Sequence, residues 1–167
     1  HWPSRWGGEE ESRPRRIAAA ELCRSISDSL FNIDPEAKII IMGDLNDDPT
    51  DTSVKEYLKT KNDVEALKKD EFFNPYENMH EPDSIGTLMY RGKWNLFDQI
   101  LISHSLMKEK PASFTFQEAN IFKKDYLIQQ EGKFKGSPFR TYSYDKYISG
   151  YSDHLPVYVY LLKKINC

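Results

Sequence analysis

The feature that most constrains the fold is a short apolar run at residues 39–42, which ends directly in Gly-Asp. An unbroken run rich in β-branched residues favours a strand buried in a sheet, and we assign this strand to residues 38–42. Asp44 and Asn46 follow it, so the strand delivers a carboxylate and an amide to the edge of a sheet, where α/β proteins commonly bind ligands. If the backbone stays extended, a spacing of two places both side chains on one side. Such hard oxygen ligands suit Mg²⁺, Mn²⁺ or Ca²⁺.

Two other interpretations of this acidic segment exist. Asp, Asn and Pro are common in turns for backbone reasons, so an acidic turn without a ligand stays open. Asp44, Asn46 and Asp48 also have the spacing of positions one, three and five of a calcium loop. That interpretation fails because Pro49 occupies the glycine position and Lys55 the glutamate position.

The remaining periodicities predict an α/β protein in which helices pack on a sheet. A helix is expected from Ser12, as the capping residue, to Asp34. Its apolar stripe is formed by Ala19, Leu22, Cys23, Ile26 and Leu30. A shorter helix is expected over 52–60, a loop-rich stretch over 61–95, strands over 97–103, 113–122 and 155–162, and a loop over 134–150.

Composition limits the classes of function. The 167 residues suit one domain, and no apolar run approaches the roughly 20 residues that cross a bilayer. The net charge of −3 lacks the basic excess of a dedicated nucleic-acid binder. A phosphate-ester substrate remains possible because a bound metal supplies positive charge locally. The two cysteines, Cys23 and Cys167, show neither ligand spacing nor a disulfide framework.

Two further clusters contain groups suited to acid–base chemistry. Asp153 and His154 open the last predicted strand, where the carboxylate can serve a metal and the histidine a phosphate. Asp98 lies inside an apolar strand, and a buried carboxylate needs a partner, such as a histidine that it orients. The alternatives are a surface Asp-His turn and an edge-strand Asp that faces water.

Several other residues are weaker candidates. His1 is a possible acid–base group and Arg5 a possible phosphate clamp, although both also fit an ordinary loop. Trp94 and Tyr151 lie nearest the motifs and are candidate substrate contacts. The aromatic residues of 139–147 suit either stacking on a substrate or packing. His80 and His104 lack a partner pattern and are predicted to lie on the surface.

The order of these clusters is more specific than any one of them. His-Trp-Pro-Ser-Arg, Gly-Asp-Leu-Asn at 43–46, Phe-Asp-Gln-Ile at 97–100 and Ser-Asp-His-Leu-Pro at 152–156 occur in sequence along almost the whole chain. This arrangement resembles the endonuclease/exonuclease/phosphatase family, which includes deoxyribonuclease I-like nucleases and inositol polyphosphate phosphatases. The resemblance implies part of a four-layer αββα sandwich with mixed, mainly antiparallel sheets and a site at one end.

The resemblance also implies roles for individual residues. Asp44 matches the carboxylate that activates water, and Asn46 matches the amide that holds the phosphate or that water. His154 matches the histidine that contacts the phosphate, and Asp98 matches the carboxylate that orients it. His1 matches a catalytic histidine of some branches. Metal ligation is expected from Asp44, Asn46 and Asp153, with Mg²⁺ as the cofactor or Mn²⁺ or Ca²⁺ in its place.

The family's early Asn and its principal metal-binding glutamate have no counterpart in these residues. We therefore expect residues 1–167 to be the C-terminal portion of a single domain, weak in metal binding and nearly inactive alone. The missing N-terminal half or a self-associated dimer is the expected partner, since an incomplete sheet exposes apolar surface. The expected activity is metal-dependent hydrolysis of a phosphate ester in nucleic acid or in a small phosphorylated molecule. A non-catalytic phosphate-binding module is the alternative.

Overall fold

The computed structural model describes residues 1–81 and 84–164, which form one long helix, three single helical turns and ten strands. Helix α1 spans Glu9–Ile33. The strands are β1 (Ile40–Asp44), β2 (Thr60–Lys61), β3 (Phe72–Phe73), β4 (Leu88–Tyr90), β5 (Lys93–Asn95), β6 (Asp98–Ser103), β7 (Phe114–Ile121), β8 (Tyr142–Ser143), β9 (Lys146–Tyr147) and β10 (Val157–Lys163). The single turns are Ser53–Tyr57, which is π-helical, and two 3₁₀ turns, His104–Leu106 and Asp125–Leu127.

The strands form a mixed, mainly antiparallel arrangement. The largest sheet has the order β1-β6-β3-β2, in which only β2 and β3 run parallel. A second sheet pairs β7 with β10, and two hairpins pair β4 with β5 and β8 with β9. The predicted α/β class with mixed, mainly antiparallel sheets is therefore confirmed.

Two apolar clusters hold three layers together. Ala20 and Phe31 of α1 pack with Phe72 and Leu101 on one face of the large sheet. On the opposite face, Ile100 and Ile102 of β6 pack against residues of β7 and β10, including Ala119. The described residues thus supply a helix layer and two sheet layers of the expected four-layer sandwich.

Helix α1 differs from the prediction in its start and in its buried face. It begins at Glu9 after Gly8, so Ser12 lies within the first turns instead of capping them. The predicted apolar stripe is wrong, because Leu22, Ile26 and Leu30 are exposed. The buried face is mostly polar and consists of Ser12, Arg16, Ala20, Arg24, Ser27 and Phe31. Ion pairs, described below, explain how this helix buries charged side chains.

Strand β1 is also more open than predicted. It lies two residues further along the chain than expected, and Met42 is 73% exposed. One edge of β1 pairs with β6, and at its far end Asp44 O accepts a hydrogen bond from Trp2 N at 2.9 Å. Ile39 and Ile41 pack under α1, whereas Ile40 and Met42 face outward from the opposite side. The prediction of a buried strand therefore holds for one face only.

Other elements depart from the prediction by smaller amounts. The second predicted helix is reduced to the single turn Ser53–Tyr57, which leads into β2. The supposed loops over 61–95 and 134–150 contain the two hairpins. Cys23 is a free thiol, and Cys167 lies outside the described residues. Among the described helices, none has the length and apolar character needed to span a membrane.

Candidate active site

The antiparallel register of β1 and β6 creates the centre of the site. It pairs Asp44, the last residue of β1, with Asp98, the first residue of β6. His154 Nδ1 lies 2.7 Å from Asp98 Oδ2. Ligand atoms of Asp44, Asp98 and His154 all lie within 4.8 Å of one another. Three of the five residues expected to be catalytic are thus brought together from segments far apart in sequence.

Thr87 joins the segments that contain Asp98 and His154. Its Oγ1 accepts a hydrogen bond from Asp98 N at 3.3 Å, and its carbonyl accepts one from Leu155 N at 2.7 Å. Leu88 forms a β-bridge with His154. Thr87 is fully buried, so these bonds are shielded from water. The sequence assigned no role to Thr87, because it lies in a stretch that was predicted to be loop.

The contact with Asp98 determines the chemical state of His154. With Nδ1 bonded to the carboxylate, that nitrogen holds a proton and Nε2 is left for a ligand. Partial burial lowers the pKa of His154, but the hydrogen bond and charge of Asp98, with Asp44 and Asp153, outweigh this and raise the pKa above its ordinary value. His154 therefore holds its second proton to higher pH than an ordinary histidine does, which suits a group that faces an anion.

The surroundings of Asp44 also raise the pKa of its side chain. Burial raises its pKa, and the nearby charge of Asp98 acts in the same direction. The backbone N–H of Asn46, which donates to Asp44 Oδ1 at 2.8 Å, and the charge of His154 only partly oppose this. His1 Nε2 lies 3.3 Å from Asp44 Oδ2. A desolvated carboxylate between two histidines is suited to accept a proton or to bind a cation.

Asn46 reaches the site by a turn. Its φ is +52°, so the expectation that the backbone stays extended from Asp44 to Asn46 is wrong. Asn tolerates this left-handed conformation better than most residues, and the Asp44 side chain closes the turn by accepting from Asn46 N. Asn46 Nδ2 donates to Trp2 O at 3.0 Å, which fixes the amide. Within the described residues no hydrogen bond is formed to Oδ1, so that oxygen is available as a ligand.

A buried ion-pair network supports the loop that follows Asn46. Arg16 is fully buried, and its Nε lies 2.6 Å from Asp47 Oδ1. Arg5 reaches Asp47 at 3.1 Å and Asp51 at 2.6 Å, and its Nε donates to Asn46 O at 2.9 Å. Ser53 Oγ donates to Asp47 Oδ2 at 2.5 Å. The acidic residues after Asn46 are therefore occupied by protein groups, which agrees with rejection of a calcium loop.

Only one of the two arginines of this network was assigned a role from the sequence. Arg5 was a candidate phosphate clamp, yet the structure surrounds it with carboxylates and stacks its guanidinium 4.5 Å from the centre of the Phe97 ring. Its role as a substrate contact stays a prediction. Arg16 was missed, because a helical arginine is normally exposed. Its i,i+4 relation to Ser12, whose Oγ accepts from Arg16 at 2.7 Å, was the available signal.

The other predicted site residues lie at different depths. Asp153 is exposed beside His154 and does not belong to the Asp44–Asp98–His154 cluster. Trp94 is only 5% exposed, and Lys123 Nζ lies 4.3 Å from the centre of its ring. Tyr151 is exposed and packs edge-to-face on Tyr126. The ligand roles of all three stay predictions.

The two histidines assigned to the surface lie deeper than expected. His80 Nε2 sits 3.4 Å from Asp48 Oδ1, with only 10% of its side chain exposed. Asp48 also accepts from Leu96 N at 2.6 Å, so this second Asp–His pair ties the acidic loop to the start of β6. His104 is half-buried in a 3₁₀ turn, and burial lowers its pKa. Neither histidine contributes to the cluster formed by Asp44, Asp98 and His154.

The structure thus combines two packed sheets with a cluster of acidic residues and an Asp–His pair. The chain belongs to the endonuclease/exonuclease/phosphatase family, since the sequence profile of that family matches residues 1–163. Members of this family are typically divalent-metal-dependent hydrolases of phosphoester bonds. Comparisons with curated proteins and with solved structures find no match to this chain.

Proposed function

We propose that the protein hydrolyses a phosphate ester by in-line attack of water at the site formed by Asp44, Asn46, Asp98 and His154. The observation that supports this most strongly is the convergence of Asp44 with the hydrogen-bonded Asp98–His154 pair. This convergence joins a group able to take a proton to a group able to give one, within the space of a single phosphate. A nuclease and a phosphatase are both consistent with it.

The proposed role of each residue follows from the hydrogen bonds of its side chain and from the direction of its pKa shift. The attacking water loses a proton to Asp44 as its oxygen forms a bond to phosphorus. The leaving oxygen departs on the opposite side and receives a proton from His154 Nε2, while Asp98 holds the imidazolium by Nδ1. His1, whose Nε2 lies 3.3 Å from Asp44 Oδ2, assists the proton transfer at Asp44. This scheme uses the raised pKa of both groups, because Asp44 is then a stronger base than an ordinary aspartate and His154 keeps its proton to higher pH than an ordinary histidine.

A divalent cation, Mg²⁺ or alternatively Mn²⁺ or Ca²⁺, fits the oxygen donors of this site. The Asp44 carboxylate and Asn46 Oδ1 are proposed ligands, and Asp153, which is exposed beside His154, is proposed as a third. Asp98 is a weaker ligand candidate, because its carboxylate is already paired with His154. When bound, such a cation neutralises phosphate charge and makes a coordinated water more acidic.

We further propose that residues 1–167 are the C-terminal portion of one domain and need an N-terminal portion for activity. The apolar surface of α1 and the outward face of β1 support this, since Leu22, Ile26, Ile33 and Met42 are exposed. β1 is also an edge strand of the large sheet, so its outer edge offers backbone groups to a further strand. That portion would add the metal-binding glutamate of the family. A self-associated dimer is the competing occupant of this surface.

The test compares Mg²⁺-dependent hydrolysis by residues 1–167 alone and by the complete protein that includes the N-terminal portion. Bis(p-nitrophenyl) phosphate reports general phosphoesterase activity, and plasmid DNA, abasic DNA, inositol phosphates and sphingomyelin distinguish the substrate classes. We expect activity from the complete protein and little or none from residues 1–167. Equal activity of the two would contradict the proposed need for the N-terminal portion, and inactivity of the complete protein on every substrate would contradict the proposed hydrolysis.

A further inference from the structure

A cluster of basic side chains lies in a cavity outside the Asp44–Asp98–His154 cluster. The cavity of about 530 Å³ lies between the β4–β5 hairpin and the segment 133–144. Among the residues that the structure describes, its lining includes Arg91, Lys133, Lys135 and Arg140 and contains no carboxylate. We refer to it as the basic cavity. In a protein of net charge −3, such a concentration of one sign is suited to an anionic ligand.

Three of the four cations of the basic cavity, Arg91, Lys133 and Arg140, lie over aromatic rings. Arg140 lies 4.9 Å from the centre of the Phe134 ring, and Lys133 lies 5.7 Å from that of Tyr144. Within the described residues, none of the four cations forms an ion pair. The buried Nε of Arg140 also lacks a hydrogen-bond partner in this part of the chain. Cations presented in this way keep their charge and their donors for a ligand.

The position of Arg91 adds an independent observation. Arg91 and Gly92 form the two-residue turn of the β4–β5 hairpin, and both have positive φ, +51° and +81°. A turn of this kind favours Asn, Asp or Gly at its first position. An arginine there costs backbone energy, and strain of this type is concentrated at ligand sites. The hairpin thereby projects a guanidinium into the lining of the basic cavity.

A second cavity lies beside the basic cavity, at the tip of the β4–β5 hairpin. It measures about 650 Å³ and shares Tyr90 and Arg91 with the basic cavity. Leu88, Phe97 and the paired side chains of Arg5 and Glu9 also line it. Phe97 precedes Asp98 in the chain, and Leu88 forms a β-bridge to His154. Trp6 at 82% exposure and Tyr90 at 62% present aromatic rings in this second cavity. Each cavity alone has the size of a small-molecule site, so the pair suits an extended ligand.

We propose that the two cavities bind a single-stranded nucleic acid whose non-scissile phosphates occupy the basic cavity and whose bases stack on Trp6 and Tyr90. Alternating cations and exposed aromatic rings match a chain of alternating phosphates and planar bases. A small polyphosphate would use the cations but would leave the aromatic rings of the second cavity unused. This inference rests on the proposed function, because it specifies the substrate class of the same site.

The test measures binding separately from hydrolysis. A fluorescently labelled single-stranded oligonucleotide is titrated with the complete protein in EDTA, which prevents cleavage, and anisotropy is followed at several salt concentrations. The variant Arg91→Gln/Lys133→Gln should weaken binding and reduce the slope of log affinity against log salt by about 0.7 for each lost phosphate contact. The variant Lys133→Gln/Lys135→Gln, which leaves the hairpin turn intact, should do the same.

The matched control is Lys69→Gln/Lys110→Gln, which removes the same charge from residues near Glu36, and it should leave the affinity almost unchanged. Trp6→Leu should weaken the oligonucleotide about fivefold or more while leaving the salt slope intact, since stacking does not release counterions. The inference is overturned if control and cavity variants weaken binding equally, or if inositol polyphosphate binds and the oligonucleotide does not. Hydrolysis of bis(p-nitrophenyl) phosphate without oligonucleotide binding would overturn this inference alone. If the protein binds the oligonucleotide in EDTA but hydrolyses none of the substrates in Mg²⁺, the proposed function is refuted instead.

Discussion

Replacement of Asp98 by Asn separates the role of the Asp98–His154 pair from simple packing. The amide has nearly the same shape as the carboxylate, and the backbone N–H of Asp98 can still donate to Thr87. Only the charge-assisted hydrogen bond to His154 Nδ1, at 2.7 Å, is lost. We expect the pKa of His154 to fall, because Asp98 is the main group that raises it.

The size of the effect follows from the geometry and exposure of the pair. A hydrogen bond to a charged group contributes about 1.5–3 kcal/mol. The two side chains are 28% and 20% exposed, so solvent screening places this bond in the lower half of that range. About 1.5–2 kcal/mol corresponds to roughly a 10- to 30-fold loss in kcat/KM, since 1.4 kcal/mol is tenfold. A loss of this kind is expected in kcat more than in KM, because the proposed role of the pair is to protonate the leaving group.

The assay is a pH–rate profile of the complete protein in Mg²⁺, with the His154 ring resonances followed by NMR in the same variants. A group that acts when protonated loses activity as the pH rises through its pKa. The alkaline limb of the Asp98→Asn profile should therefore move to lower pH. His80→Gln removes the other Asp–His pair and should leave the profile in place. An Asp98→Asn enzyme with the parent's kcat and an unmoved alkaline limb would refute this account of His154.

Three further predictions concern stability, geometry and metal binding. Arg16→Met should lower the free energy of unfolding in urea by about 3 kcal/mol, because Asp47 stays buried with Arg5 as its remaining cation, and Arg16→Met/Asp47→Leu should recover part of the loss. Gly150→Ala should reduce kcat by tenfold or more with a lower melting temperature, since the new Cβ would meet Arg140 O at 2.2 Å and displace the segment leading to His154; parent-like kcat would contradict this. Mn²⁺ affinity measured by calorimetry should fall as the pH is lowered, starting above the usual titration range of an aspartate, because the proton competes for Asp44, whose pKa is raised. Constant affinity from neutral pH down to 3.8, the ordinary pKa of an aspartate, would contradict the assignment of Asp44 as a ligand.

The central residues of the site were predictable because each follows a recognisable strand or opens one. Gly-Asp-Leu-Asn ends an apolar run, and Asp98 interrupts another. Both carboxylates that lie opposite each other in the sheet, Asp44 and Asp98, can therefore be recognised in the sequence. That Asp98 needs a histidine partner also follows from the cost of burying a carboxylate. The structure supplies what periodicity cannot, which is the register that sets Asp44 opposite Asp98.

The supporting groups were not predictable, because their function depends on tertiary partners. Arg16 and Arg24 look like solvent-facing residues of a helix until Asp47 and Asp70 are placed beside them. The helical spacing of the apolar residues of α1 predicts a buried stripe, yet Leu22, Ile26 and Leu30 are exposed in the described part of the chain. Thr87 gave no signal, since a single threonine in a polar stretch has many possible environments. Its importance comes from two hydrogen bonds to distant segments.

The most direct test of the central claim is the activity of Asp44→Ala in the complete protein with Mg²⁺. The parent and the variant are compared on plasmid DNA, abasic DNA, inositol phosphates and sphingomyelin, with circular dichroism to confirm that both are folded. We expect the variant to hydrolyse the parent's substrate at least about 100-fold more slowly, because Asp44 is proposed both to accept the proton of the attacking water and to bind the cation. Equal activity of Asp44→Ala and the parent on every substrate would contradict the assignment of this site as catalytic.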